Sequence, residues 1–154
     1  MKTKLYLILF LSLFLSSCST TVKLAPCVTK YTTDVVMRWG EMNKNNYQLY
    51  YELTTDKNIT FTVNNGISGE NKKEKIGKIP DEVYCNLLKK AKEYILKTQA
   101  LNSPGETSNF FEYIDKKNNT QFKAIWNPEF TNKGNQDFKE LYKELQEALK
   151  QAEQ

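Results

Sequence analysis

Histidine is absent from this chain of 154 residues. Its absence excludes Ser-His-Asp and Cys-His catalysis, histidine-containing metal sites and the commonest general base at neutral pH. Lysine-activated serine and paired carboxylates remain formally possible, but no pair of acids is singled out by its spacing, because the acids fall in turns or on polar helix surfaces. We therefore expect a non-enzymatic protein with no metal and no cofactor.

Glycine-rich loops and long apolar segments are also scarce. The chain has six glycines, and the pair Gly66 and Gly69 lacks both the spacing of a phosphate-binding loop and the Gly-Lys-Ser/Thr sequence that follows one. One apolar run extends from Leu5 to Leu15, and no later run is long enough to span a membrane. The part after this run is expected to fold as one domain outside the bilayer.

The apolar run has the setting of a signal peptide. Lys2 and Lys4 precede it, and two small residues and Cys18 follow it. The run contains about a dozen residues, whereas a helix needs about 20 to cross a bilayer. Cleavage is therefore expected, with residues 1–17 as the signal peptide.

The end of the run, Leu15-Ser16-Ser17-Cys18, resembles the lipobox of bacterial lipoproteins. The resemblance implies that fatty acyl chains such as palmitate are attached to Cys18, which becomes the first residue after cleavage, and that residues 18–30 form the lipidated N-terminus and tether. Two or three acyl chains anchor a protein durably. Ser19, in place of aspartate, resembles the default signal for the outer membrane. We expect a cell-envelope protein at that membrane, on its periplasmic or surface face; an ordinary secreted protein is the alternative.

The charge balance does not favour nucleic acid as a partner. Removal of residues 1–17 leaves 20 basic and 18 acidic residues, and the lysines alternate with glutamates instead of forming a basic stripe. The expected partners are the membrane, through the lipid, and an envelope protein or a small ligand.

Two cysteines remain once Cys18 is assigned to lipid. Cys27 and Cys85 would be in a compartment that permits disulfides, and a bridge between them would stabilise the fold by about 4 kcal/mol before strain is counted. Cys85 falls on the flank of the apolar stripe of a predicted helix, where it can meet the N-terminal segment. A bridge and two free thiols both remain open.

Alternating apolar and polar residues predict two hairpins. Residues 47–54 and 59–63 form the first, and residues 110–114 and 120–126 form the second. Residues 64–75 read as an exposed loop and residues 76–79 as a short edge strand, while residues 31–46 are compatible with a strand or an irregular segment.

Helical periodicity predicts two amphipathic helices, over residues 81–97 and 138–152. Each must bury its apolar stripe, and the sheet is the large apolar surface available. The predicted fold is α+β, with about five mostly antiparallel strands and two helices packed on one face. Residues 31–154 are expected to form this single domain.

Two segments with proline and aromatic residues, "ALNSPGETSNFFEY" and "AIWNPEF", leave predicted strands at the same end. Exposed aromatic residues concentrate where partners bind, so these loops and the glycine loop predict an interaction surface. The alternative is that Trp126 closes the core. The candidate residues are Gly66, Gly69, Pro104, Gly105, Trp126, Pro128 and Phe130.

The order of elements over residues 47–150 resembles a group of small bacterial envelope lipoproteins. It is more distantly similar to the emfourin-type inhibitors of thermolysin-like metalloproteases, which share a strand, helix, hairpin, helix order. Those inhibitors carry a Gly-Gly-Phe-Ala-Gly-like loop where this chain has Asn65-Gly66-Ile67-Ser68-Gly69, without the double glycine and the phenylalanine. The leading hypothesis is a lipid-anchored binding domain, and the alternative is an inhibitor of a secreted metalloprotease.

Overall fold

The structure is a computed structural model that describes residues 23–45, 47–66, 68, 71–98 and 100–154. The predicted signal peptide, the lipobox and Cys18 lie outside the described residues. No helix within the described part of the chain is long and apolar enough to cross a membrane.

The described residues form one mixed sheet of seven strands, in the order β4-β3-β2-β1-β6-β7-β5. All neighbouring strands are antiparallel except β5 and β7, which are parallel. The strands are β1 (Val35–Asn43), β2 (Tyr47–Thr54), β3 (Asn58–Asn65), β4 (Asn71–Lys78), β5 (Leu101–Ser103), β6 (Thr107–Asp115) and β7 (Thr120–Trp126). The α+β class and the mostly antiparallel sheet are confirmed, whereas the expected number of about five strands is too low.

The strand β1 lies at the centre of the sheet, between β2 and β6. Its first half is buried on both faces, since Val35, Val36 and Met37 are all at most 4% exposed. A strand buried on both faces shows no alternation of apolar and polar residues. This is why the sequence pattern of residues 31–46 was ambiguous although they include the central strand.

The edge strands also differ from their predictions, β4 because most of it is exposed and β5 because it is short. Six of the eight residues of β4, Asn71–Lys75 and Lys78, are exposed, so most of this strand has no apolar pattern and the first part of it was predicted as loop. Its lysines are typical of an edge strand that avoids pairing with other chains. The other edge, β5, has three residues, which is too short for a periodic signal.

Two helices, α1 (Asp81–Lys97) and α2 (Gln136–Ala152), match the predicted ones closely. Pro80 precedes α1, and Asp81 and Glu82 in its first turn face the positive end of the helix dipole. The apolar stripes of both helices enter one core with the sheet. At its centre, the Phe138 ring of α2 lies 5.5 Å from Phe122 and 6.0 Å from Phe111 between ring centroids.

A disulfide joins Cys27 to Cys85, which resolves the open question of bridge or free thiols in favour of the bridge. It attaches the N-terminal segment, residues 23–34, to α1. Ala25, within this segment, is 2% exposed, so the segment contributes to the core as well. The tether was predicted over residues 18–30, and its described part, residues 23–30, is therefore packed against the domain.

Candidate interaction site

The strand directions place several connections at one end of the sheet. Asn43 at the end of β1 pairs with Thr107 at the start of β6, and Tyr47 at the start of β2 pairs with Asn65 at the end of β3. These four strand termini therefore lie at the same end of the sheet. We call this the loop end; its described residues are 44–45, 66, 68, 104–106 and 127–135. Because strands of eight or nine residues rise about 3.3 Å per residue, the loop end lies about 25–30 Å from the opposite end.

The opposite end, here the N-terminal end, comprises residues 23–34 and the turns 55–57 and 116–119. Its parts are joined by hydrogen bonds to the N-terminal segment. Thr55 Oγ1 donates to the carbonyl of Thr33 at 3.1 Å, and Asn118 Nδ2 donates to that of Tyr31 at 3.1 Å. Residues 23–34, where the described part of the chain begins, thus lie at the end opposite the loops.

Two backbone contacts build one corner of the loop end. The Asn127 N–H donates to the carbonyl of Ser103 at 2.8 Å, extending the β5 and β7 pair, and the Gly105 N–H donates to Ser108 Oγ at 2.9 Å. A Cβ at Gly105 would lie 2.7 Å from Asn127 Nδ2. Glycine at this position therefore lets the 104–106 loop lie directly against Asn127.

A cavity of about 310 Å³ opens at this corner, which we call the loop-end cavity. The described residues that line it include two carboxylates and neither lysine nor arginine; they are Glu106, Thr107, Asn127, Pro128 and Glu129. Lys44 approaches Glu106 at 3.6 Å, but the two side chains are 69% and 94% exposed, so this ion pair is weak. The cavity therefore favours groups that are cationic or donate hydrogen bonds.

The loop after β7 presents an aromatic side chain beside the cavity. Phe130 is 66% exposed, while its carbonyl accepts a 2.9 Å hydrogen bond from Asn135 Nδ2. Lys139 Nζ, from α2, donates to the carbonyl of Pro128 at 2.9 Å and to Thr131 Oγ1 at 2.8 Å. The backbone of this loop is therefore held by side chains while the phenyl ring faces solvent.

The other predicted surface residues have mixed outcomes. Pro104, Pro128 and Gly66 are exposed at the loop end, as an interaction surface requires, and Gly69 lies outside the described residues. Trp126 is 0% exposed, with its ring centroid 5.8 Å from that of Tyr142. Its inclusion in the surface was wrong, because the alternation of β7 turns this side chain under α2, where it closes the core.

The face of the sheet opposite the helices carries a charged cluster that no sequence motif indicated. Arg38 lies between two carboxylates: its Nε donates to Glu52 at 2.8 Å and its Nη1 to Glu112 at 3.2 Å. Lys73 also binds Glu52, at 2.6 Å, and Gln121 Nε2 donates to Glu112 at 2.7 Å. We call these five residues the Arg38 cluster.

The carboxylates of the Arg38 cluster are buried, with side-chain exposures of 9% for Glu52 and 8% for Glu112. Burial by itself raises the pKa of Glu52, but hydrogen bonds from Lys73 and Arg38 and the charges of both outweigh it, so the pKa of Glu52 falls below its ordinary value. A carboxyl group that stays ionised at neutral pH is a poor proton donor. The geometry of the cluster therefore suits ion pairing across the sheet.

Metal coordination has no candidate in the described ranges, where no group of three or more Cys, Asp or Glu residues is arranged to hold an ion. Comparison of the sequence with protein-family models and with curated proteins finds no match.

Proposed function

We propose that this chain is a lipid-anchored, non-enzymatic binding domain of the bacterial cell envelope, held at the outer membrane through acyl chains on Cys18. The observation that carries the proposal is the separation of the N-terminal end from the loop end. Lys23, the first described residue, lies five positions after Cys18, and residues 23–34 are fastened to the N-terminal end. An anchor at Cys18 thus leaves the loop end facing away from the bilayer.

The chemistry of the loop end supports a protein partner with a basic segment. The two carboxylates of the loop-end cavity, on Glu106 and Glu129, attract lysine or arginine side chains, and neither residue is buried. Phe130 adds an exposed aromatic ring of the kind that anchors protein interfaces. The backbone hydrogen bonds of its loop reduce the entropy that binding would cost.

A photo-crosslinking residue in place of Phe130, in the full-length protein in intact cells, tests this proposal. We expect an adduct with an envelope protein, and we expect its yield to fall severalfold when Glu106→Gln and Glu129→Gln are combined, because the basic segment loses its attraction to the cavity. Immunoblotting and mass spectrometry of the adduct give the yield and the crosslinked peptide.

The matched control places the same crosslinker at Lys117, in a turn of the N-terminal end. This position should give lipid adducts or none, because it faces the membrane. A protein adduct at Lys117 together with none at position 130 would contradict the assignment of the loop end. Failure of Cys18→Ser to release the protein from membranes would overturn the lipid anchor independently.

A second candidate function is inhibition of a secreted thermolysin-like metalloprotease. The observation that favours it is the exposure of Gly66 and Ser68 at the loop end, where the resembling inhibitors carry their glycine loop. The purified domain at micromolar concentration should then slow thermolysin, and Gly66→Trp should abolish the effect. Unchanged hydrolysis of a peptide substrate would retire this candidate.

A further inference from the structure

A second cavity, of about 250 Å³, lies on the helix side of the sheet between α2 and the strands β1, β2 and β3. We call it the aromatic cavity. Tyr51 and Phe61 line it from the sheet, Tyr142 and Gln146 line it from α2, and Glu41 lies at its margin with an exposed side chain. Among the described residues, it shares no lining residue with the loop-end cavity.

The rings of the aromatic cavity are held in place by their neighbours. The Tyr51 ring is stacked on Trp39 with centroids 5.5 Å apart, and it lies 5.1 Å from the ring of Phe61. Tyr142 packs edge to face against buried Trp126. Aromatic pairs of this kind stabilise one arrangement of the rings, so the cavity is formed before any ligand arrives.

The charge that the lining of the aromatic cavity carries is negative. The described residues that line it include one carboxylate, Glu41, and neither lysine nor arginine. Burial raises the pKa of the Tyr142 hydroxyl to about 12; the hydrogen bond with Gln146 opposes this shift, and Glu41 and Tyr51 add smaller upward contributions. The phenol therefore stays neutral, and an anionic ligand would find no countercharge among these residues.

Neutral aromatic rings next to a single carboxylate are the groups that attract a cation with an apolar body. Ring faces stabilise a cation electrostatically, and more strongly once the cation is partly removed from water. We propose that the aromatic cavity binds a small organic cation, a substituted ammonium or guanidinium group, whose charge lies near Glu41 and whose apolar part contacts Tyr51, Phe61 and Tyr142. The volume is somewhat below that of drug-sized pockets, about 300–1,000 Å³, which limits the ligand to a few carbon atoms around the charge. The inference depends on neither the lipid anchor nor the loop-end partner.

A titration of the isotope-labelled domain, with its disulfide intact, tests this inference by NMR. The probes are choline and butylammonium, and the comparison compound is the uncharged isostere of choline in which carbon replaces nitrogen. We expect the cations to shift the resonances of Tyr51, Phe61 and Tyr142, and the uncharged isostere to bind about tenfold more weakly, because it lacks the attraction to the rings and to Glu41.

The decisive variant is Glu41→Gln, which removes the charge and keeps the size of an exposed side chain. It should weaken binding of the cations about fivefold or more, whereas the matched control Glu82→Gln, at an exposed carboxylate in the first turn of α1, should leave binding unchanged. Equal binding of the uncharged isostere, equal effects of the two variants, or no shift at the three rings would each overturn the proposal.

One further arm identifies where the cation comes from. Blocked lysine and blocked arginine amides present the same charges as they occur on a partner protein. Tighter binding of a blocked amide than of the free amines, with the same sensitivity to Glu41→Gln, assigns the cavity to a partner side chain. Tighter binding of the free amines assigns it to a small envelope solute, and either result supports an organic-cation site.

Discussion

Replacement of Arg38 should lower the stability of the sheet. Arg38 is the cation shared by Glu52 and Glu112, whose side chains are each about nine-tenths buried. Removing one partner of a buried ion pair costs about 3–5 kcal/mol of stability. The cost should be smaller here, because Arg38 is 31% exposed and Lys73 and Gln121 still contact the two carboxylates. We therefore expect Arg38→Met to lower the free energy of unfolding by about 2 kcal/mol at pH 7. Urea denaturation followed by circular dichroism measures the change.

The pH dependence gives this prediction a second readout. The folded-state pKa of Glu52 is depressed, so the stability it contributes is present above its unfolded pKa, about 4.3, and is lost as the pH falls through the lower folded-state pKa. The deficit of Arg38→Met should therefore shrink in acid, where protonated carboxyls need no cation. The control Lys75→Met, on an exposed residue of the same face, should stay within about 0.5 kcal/mol of the wild type at every pH. A deficit that stays constant from neutral to acid pH would refute the electrostatic explanation.

The Arg38 cluster consists of contacts between residues that are distant in the sequence, which sequence patterns do not predict. Arg38 is 14 positions from Glu52 and 74 from Glu112, and the three meet because the registers of β1 with β2 and with β6 place them side by side. Periodicity assigns residues to a face of one strand without fixing the register between distant strands. The exposure of Phe130 in a loop, by contrast, was predicted from its own neighbourhood of proline and polar residues, because a loop residue depends less on distant pairing.

At the scale of elements, the disulfide couples the N-terminal segment to α1. Replacing both Cys27 and Cys85 by alanine releases a constraint on the unfolded chain that is worth about 4 kcal/mol for a loop of this length. We expect the double variant to lose stability of that order and to unfold at the same urea concentration with and without reductant. The wild type should move to the variant's midpoint when it is reduced. A wild type that is indifferent to reductant would show that the bridge does not contribute.

A second contact between elements limits the size of one residue in β4. A Cβ at Gly77 would lie 1.9 Å from the carbonyl oxygen of Ala152, so the last turn of α2 must move away from the sheet in Gly77→Ala. Overpacking of this kind costs about 1–3 kcal/mol. The matched control is Gly134→Ala, whose Cβ would meet a side-chain oxygen, Asn132 Oδ1, at 3.3 Å instead of helix backbone. Thermal unfolding should separate the two variants; equal melting temperatures would show that α2 tolerates the displacement.

Sequence periodicity predicts some helices and strands more accurately than others. Both helices have one buried and one wetter face, and both were predicted at nearly their observed positions. The strands β2, β3, β6 and β7 were also predicted, although β6 begins three residues before the expected start and is buried on both faces over residues 110–113. The central strand β1 is buried on both faces over its first half, and β4 is exposed over most of its length. Periodicity measures the contrast between faces, so it was weakest at the middle and at the edges of the sheet.

At the scale of the whole molecule, the fold has two chemically different ends. The sequence indicated half of this arrangement, because the hairpin of β6 and β7 places the loops before and after it opposite the turn 116–119. The addition of residues 44–45, 66 and 68 to the loop end depends on the central position of β1, which the pattern left open. The orientation of the two ends relative to a membrane follows if acyl chains on Cys18 hold the N-terminal end.

Energy transfer from the protein to a labelled bilayer measures this orientation. A clickable residue that carries a fluorophore replaces Asn45 at the loop end or Lys117 at the N-terminal end of the full-length lipidated protein, and the vesicles contain an acceptor on their headgroups. Because the ends are about 25–30 Å apart along the strands, transfer from position 117 should be clearly more efficient than transfer from position 45. Cys18→Ser should abolish transfer from both positions. Equal efficiencies in the lipidated protein would mean that the domain lies with its sheet along the membrane, so that the loop end and the N-terminal end are equally close to the lipid and the loops do not face away from it.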